Sequence, residues 1–98
     1  MLLAENEIAI LRLVETMLIR LGYRVVAAKS PMKAITVVEH HREKIKVLVT
    51  DAIMPELNGN DLAIRSRGLI PGLLALFMSG YAANVINAQG GIWIKVSS

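Results

Sequence analysis

The stretch Lys46-Val47-Leu48-Val49-Thr50-Asp51-Ala52-Ile53-Met54-Pro55-Glu56-Leu57-Asn58-Gly59 decides the fold of this chain. It opens as a short apolar, β-branched run, the pattern of a strand buried on both faces of a parallel sheet, and it ends on a carboxylate. Met54-Pro55 and Asn58-Gly59 then read as loop. Proline biases Met54 to an extended conformation, and the glycine is expected to supply a positive φ. Asp51 is therefore expected at the carboxyl end of a central strand, the edge of an open α/β sheet where ligands bind.

Outward from this stretch, strand and helix alternate. Residues 1–4 read as a short first strand, followed at once by Glu5-Asn6-Glu7. Residues 8–21 carry Ile10, Leu11, Val14, Met17, Leu18 and Leu21 at helical spacing, with Asn6 as the expected N-cap and Gly22 as the stop. Residues 23–28 are the second strand. Ser30-Pro31, a cap followed by an N1 proline, starts a helix to about His41 with Ala34, Ile35 and Val38 on its inner face. Asn58 or Asn60 caps a short helix over 61–67 that Gly68 closes. Residues 73–78 form a fourth strand ending at Ser79-Gly80, a two-turn helix lies near 82–88, and residues 92–95 form a last strand. This is an α/β pattern: a doubly wound, five-stranded parallel sheet in the order 2-1-3-4-5, lacking its final helix.

Composition narrows the function. Ninety-eight residues make one domain, 1–98, truncated after strand five, and 54% hydrophobic residues fit helices covering both faces of a buried sheet. No apolar run approaches the ~20 residues of a membrane span, and no basic segment opens a signal peptide. The absence of cysteine excludes disulfides and thiolate metal sites and fits a cytoplasmic location. Eleven Lys and Arg against eight Asp and Glu give +3, but the dense basic region, residues 29–46, lacks interleaved aromatics, so it reads as a solvated face and not as a nucleic-acid surface. His40 and His41 are adjacent, diverge by about 100° on a helix, and do not form a metal pair.

The order 2-1-3-4-5 brings strand-end polar residues together. Glu5 and Asn6 follow strand one, Asp51 ends strand three, Ser79 ends strand four and Lys95 ends strand five. Oxygen ligands beside Asp51 suit Mg²⁺, which takes one or two carboxylates and completes its shell with water and phosphate. A hydroxyl and an ammonium opposite suit phosphoryl oxygens. Together they describe a carboxylate nucleophile prepared for in-line phosphoryl transfer.

On these residues the chain resembles the receiver domain of two-component response regulators, a flavodoxin-like family. The resemblance covers residues 1 to about 95 and rests above all on Asp51-x-x-Met54-Pro55-x-x-x-Gly59. Phe77-Met78-Ser79-Gly80-Tyr81 and Arg20-Leu21-Gly22-Tyr23 are similar to receivers of hybrid sensor histidine kinases. The resemblance implies that Asp51 is the phosphoacceptor, that Glu5 and Asn6 stand in the acidic pair holding Mg²⁺, and that the Ile53 carbonyl is a further ligand. It also implies that Ser79 and Lys95 sense the phosphoryl group, and that a histidine kinase or phosphotransfer protein is the partner. Such a domain is not an enzyme beyond its own phosphorylation and dephosphorylation.

Departures from the family pattern are as informative. Asn6 is a neutral amide where the family has Asp, Val96 follows the lysine where proline is usual, and Ile92 holds the place of the switch aromatic. These features favour an alternative, a phosphorylation-independent pseudo-receiver that binds proteins. A dinucleotide enzyme is excluded by Glu5-Asn6-Glu7, which is no glycine-rich turn. A phosphatase of the dehalogenase-like kind would, by resemblance, need an Asp at position 53, which is Ile. A missing fifth helix would bare strands three to five on one face. Ile8, Leu13 and Ile19 also fall outside the inward stripe of the first helix, so a homodimer hiding that face is expected.

Overall fold

The structure is a computed structural model, and it describes residues 1–78 and the backbone of Ile94–Val96. Its elements are β1 (Leu2–Ala4), α1 (Ile8–Arg20), β2 (Val26–Ala28), α2 (Pro31–His40), β3 (Val47–Asp51), α3 (Gly59–Leu69), β4 (Leu74–Met78) and β5 (Ile94–Val96). The sheet order is β2-β1-β3-β4-β5, as expected. The strands β1 to β4 run parallel, in a register that pairs Ala4 with Ala28 and Thr50, and Asp51 with Met78.

The strands are apolar on both sides because both sides are covered. Leu2, Ala4, Leu48 and Ala75 face a core shared with Ala34 and Val38 of α2 and Leu62 and Ala63 of α3. The alternate residues Leu3, Val49 and Met78 face the opposite way, toward Leu11 and Val14 of α1. Leu2, Leu3 and Leu48 are fully buried, and truncating any of them to Ala would cost about 2–5 kcal/mol.

The helix ends follow local chemistry. Ser30 Oγ accepts the Lys33 N–H at 3.2 Å, and Pro31 occupies the first turn of α2. At the other end of α1, Gly22 takes φ +96°, Tyr23 N–H donates to Leu18 O, and Gly22 N–H donates to Ile19 O. That paired closure is the glycine-terminated helix stop read from the sequence.

Several expectations are corrected. The residue capping α1 is Glu7, without a side-chain cap, and not Asn6. The Glu5 carboxylate accepts the Glu7 N–H at 2.9 Å, and the cap falls one residue later than expected. Helix α3 begins at Gly59, capped by Asn58, and runs through Gly68 to Leu69. A glycine costs only ~1 kcal/mol inside a helix, and continuing packs Leu69 and Ile70 against the core. Leu21 is exposed, and β2 is three residues long because Tyr23 is used to close α1.

The fifth strand runs antiparallel to β4, pairing Met78 with Ile94, Phe77 with Lys95 and Leu76 with Val96. A parallel strand would require the chain to travel back the length of the sheet, with barely the crossover minimum of residues to do so. An antiparallel strand starts where β4 ends, and an antiparallel edge on a parallel sheet is a common arrangement. The expected helix near 82–88 and Gly90-Gly91 lie outside the described residues.

The α1 face is not bare at its centre. Val49 and Met78 are each 1% exposed and cluster with Leu11 and Val14; Leu74, at the far end of β4, remains 43% exposed. Ile8, Leu13 and Ile19 are exposed on α1, as their spacing implied.

One buried group is left unmatched. Ser66 Oγ, on the inner side of α3, has no hydrogen-bond partner among the described residues. A buried unsatisfied hydroxyl costs on the order of 1–3 kcal/mol, and alanine is also the better helix former. Ser66→Ala should therefore raise stability by about 1 kcal/mol in urea denaturation; an unchanged or lower midpoint would show that the hydroxyl is satisfied in solution.

Candidate functional site

Register builds the site. Because Ala4 pairs with Thr50, the residues that follow them, Glu5 and Asp51, emerge side by side at the carboxyl edge of the two central strands. Glu5 is 1% exposed, and Asp51 is half-buried. Asn6 follows Glu5 at the same edge, half-buried, and its amide makes no hydrogen bond among the described residues.

The backbone behind Asp51 is held rigidly. Asp51 Oδ1 accepts the Ile53 N–H at 3.1 Å, and Gly59 N–H donates to Ala52 O at 3.0 Å. Met54 is buried in the α2/α3 core and pins the loop, while the Ile53 side chain is 75% exposed beside the site. The expected positive φ at Gly59 is not found; Gly59 opens α3, where φ is negative. The glycine is required for a different reason: a Cβ there would fall on the Asp51 carbonyl oxygen and crowd its carbonyl carbon at 3.0 Å. The left-handed residue of the loop is Glu56, at φ 71°. With Leu57 N–H donating to Pro55 O at 2.8 Å, Glu56 is the centre of a γ-turn of the rarer hand. Nothing in the sequence signals it, since Glu carries no turn preference.

The electrostatics concentrate on Glu5. Burial pushes its pKa up from 4.5 to about 7, the Glu7 N–H opposes this, and the neighbouring Asp51 carboxylate raises it further. Two carboxylates crowded at one buried edge, one of them pushed toward its protonated form by burial and by its neighbour's charge, are suited to a divalent cation. Glu5, Asn6, Asp51 and the Ile53 carbonyl fit Mg²⁺ in donor chemistry, all being hard oxygen ligands. Ser79 lies outside the described residues, as do Tyr81, Ile92 and Trp93. Of Lys95 only the backbone is described, opposite Phe77 and so one residue short of the Asp51–Met78 row.

The chain is similar to known proteins along most of its length. The family described as the response regulator receiver domain matches residues 1–90. The response regulator receiver protein CpdR of Brucella abortus (strain 2308) is 33% identical over 86 residues, which are 88% of this chain and 70% of that protein. The sensor kinase CckA of the same organism is 34% identical over 61 residues, 62% of this chain but only 6% of the kinase. Among solved structures, a response regulator receiver domain protein from Clostridium thermocellum superposes with a TM-score of 0.77 at 25% identity, covering 91% of this chain and 72% of that one. The receiver domain of the hybrid histidine kinase CckA superposes with a TM-score of 0.76 at 31% identity, covering 82% and 74%.

Glu5 makes stability pH-dependent. Its folded pKa lies above its unfolded value, so between 4.5 and about 7 the folded state binds the extra proton, and stability falls as pH rises through that window. A shift of this size corresponds to about 3 kcal/mol. In metal-free buffer, urea denaturation should show a loss of this order from pH 4.5 to 8 that Glu5→Gln abolishes; an equal slope in the variant would assign the effect to other groups.

Proposed function

The chain belongs to the response regulator receiver domain family, and from that premise we propose that Asp51 is phosphorylated in the cytoplasm by a histidine kinase or a phosphotransfer protein, with Mg²⁺ bound beside it. The observation that carries this reading is the placement of Asp51 at the switch point of the sheet, level with buried Glu5 and fixed from behind by Ile53 N–H and Gly59. A nucleophile for in-line attack needs a defined trajectory, and a carboxylate held at one oxygen leaves the other to react.

Glu5, Asn6, Asp51 and the Ile53 carbonyl are the residues proposed to hold Mg²⁺, which when bound neutralises charge on the phosphoryl oxygens. Ser79 and Lys95 are proposed to contact those oxygens and to report phosphorylation to whatever the domain controls. Receiver domains are signalling modules, so the only chemistry proposed is the gain and loss of this phosphoryl group. Intact mass after incubation with acetyl phosphate and Mg²⁺ should show an adduct of about 80 daltons, a phosphoryl group, absent from Asp51→Asn. No adduct at saturating donor and metal would leave the alternative, a pseudo-receiver that binds proteins without phosphorylation.

Asn6 is the specific observation behind that alternative. Exchanging a carboxylate for an amide removes one formal charge from the ligand set, and charge dominates the binding of a hard cation. Asn6→Asp should therefore tighten Mg²⁺ by about tenfold or more in an NMR titration of the amides of Glu5 and Ile53. Equal affinities would remove Asn6 from the metal site.

A further inference from the structure

The free edge of the sheet at β2 carries a feature unrelated to the phosphorylation site. Two cavities flank this strand and share Val37. One, of about 600 Å³, is lined by Arg24, Val26, His41, Lys44 and Lys46 and their neighbours. The other, of about 350 Å³, lies between α1 and α2 over Ala27 and Ala28, beside Lys29 and Lys33. Together they form a groove along the strand, with small apolar side chains as its floor and basic side chains along its walls.

The backbone at the floor is unpaired on one side. Val26 N–H donates to Met1 O, and Glu5 N–H donates to Ala28 O, both toward β1. Alternate residues of a parallel strand bond to the same neighbour, so the N–H and C=O of Ala27 face outward. β2 ends the sheet order, and none of Arg24, Lys29, Lys33, Lys44 and Lys46 is ion-paired among the described residues. Among the described residues, Glu43 is the one carboxylate lining either cavity.

We propose that this groove docks an extended acidic segment of a partner protein, which adds a strand beside β2. Main-chain hydrogen bonds to Ala27 supply the register, apolar side chains of the segment fill the two cavities on either side of Val37, and its carboxylates meet the basic walls. The same charges that attract an acidic strand repel a second copy of this edge, so the occupant is a different sequence and not a homodimer partner. A nucleic acid would satisfy the charges but not the outward amide, and among the described lining residues His41 is the one ring on which a base could stack, with no Phe, Tyr or Trp beside it.

The test is an amide NMR titration of the full chain with acetyl-EVEVEVE-amide. Its controls are the KVKVKVK counterpart, the acidic peptide N-methylated at its central residue, and a single-stranded oligothymidine of ten nucleotides. The proposal expects shifts centred on residues 25–29 and Val37, slowed exchange of the Ala27 amide, and affinity that falls with salt. It also expects binding to weaken about tenfold or more on N-methylation and in the double variant Lys29→Glu, Lys46→Glu, whose fold is checked by the unchanged remainder of the spectrum. Binding of the basic peptide as tightly as the acidic one, equal binding of the N-methylated peptide, stronger binding of the oligothymidine, or shifts centred elsewhere would each overturn it. Phosphorylation of Asp51 is not involved, so the outcome stands whether or not the adduct forms.

Discussion

The parallel pairing of β1 with β3 is the constraint on which the rest depends. Once Ala4 is level with Thr50, the next residues are forced together, and both are acidic. Water does not solvate Glu5 there, since it is 1% exposed, so the fold must compensate locally. It does so in two ways: the Glu7 N–H is turned back onto the Glu5 carboxylate, and the Glu5 pKa is raised to about 7, so that much of the charge is neutralised by a proton at neutral pH. The first of these lies directly before α1, whose capping residue, Glu7, makes no side-chain cap. The turn that shields the Glu5 carboxylate is thus also the turn that leads into the helix.

Holding Asp51 in place is a second, separate demand, met by packing and by backbone approach. Gly59 brings the first turn of α3 against the Asp51 carbonyl at a separation that no side chain permits. The intervening loop must then close over a short span, and it does so through Glu56 in a conformation that costs ~1–3 kcal/mol for a residue other than glycine. Burial of Met54 beneath the same loop offsets that cost, since removing such a side chain from water is worth roughly 1.5–3 kcal/mol. The motif Asp51-x-x-Met54-Pro55-x-x-x-Gly59 is therefore a mechanical unit: an anchor, a strained turn and a close contact, all serving one carboxylate.

This division separates what was legible in the sequence from what was not. The central strand, the Ser30-Pro31 start of α2 and the Gly22 stop of α1 follow from local chemistry, and the structure contains them; the expected order 2-1-3-4-5, which alternation permits but does not fix, is also found. The direction of β5 was not legible, because a two-residue period is the same in both directions; only the length of the preceding connection bears on it. Gly59 was identified as important for the wrong reason, since a glycine letter does not distinguish a positive φ from a close approach. The turn at Glu56 and the run of α3 through Gly68 were hidden for a common cause: tertiary packing overrode weak local preferences. For the site itself, the sequence placed Glu5, Asn6 and Asp51 at one edge. It did not show that Glu5 would be the most deeply buried of them.

The basic residues complete the electrostatic picture. Much of the positive charge of this chain lies on the β2 edge and around the loop before β3. From Lys46 to Asp51 is five residues of strand, about 16 Å, and the Debye length at physiological salt is about 8 Å. Lys44, Lys46 and the loop before β3 are therefore nearly independent of the acidic site electrostatically, whereas Lys29, the residue after Ala28, stands at the same sheet edge as Glu5. An anionic partner at the Lys44 and Lys46 end of the groove would leave the field at Asp51 almost unchanged, whereas one that reaches Lys29 acts on the acidic edge directly. Coupling between the two ends passes through Lys29 and through the packed strands β1 and β2, whose shared register ties Ala28 to Ala4 and so to the first residue of the acidic site.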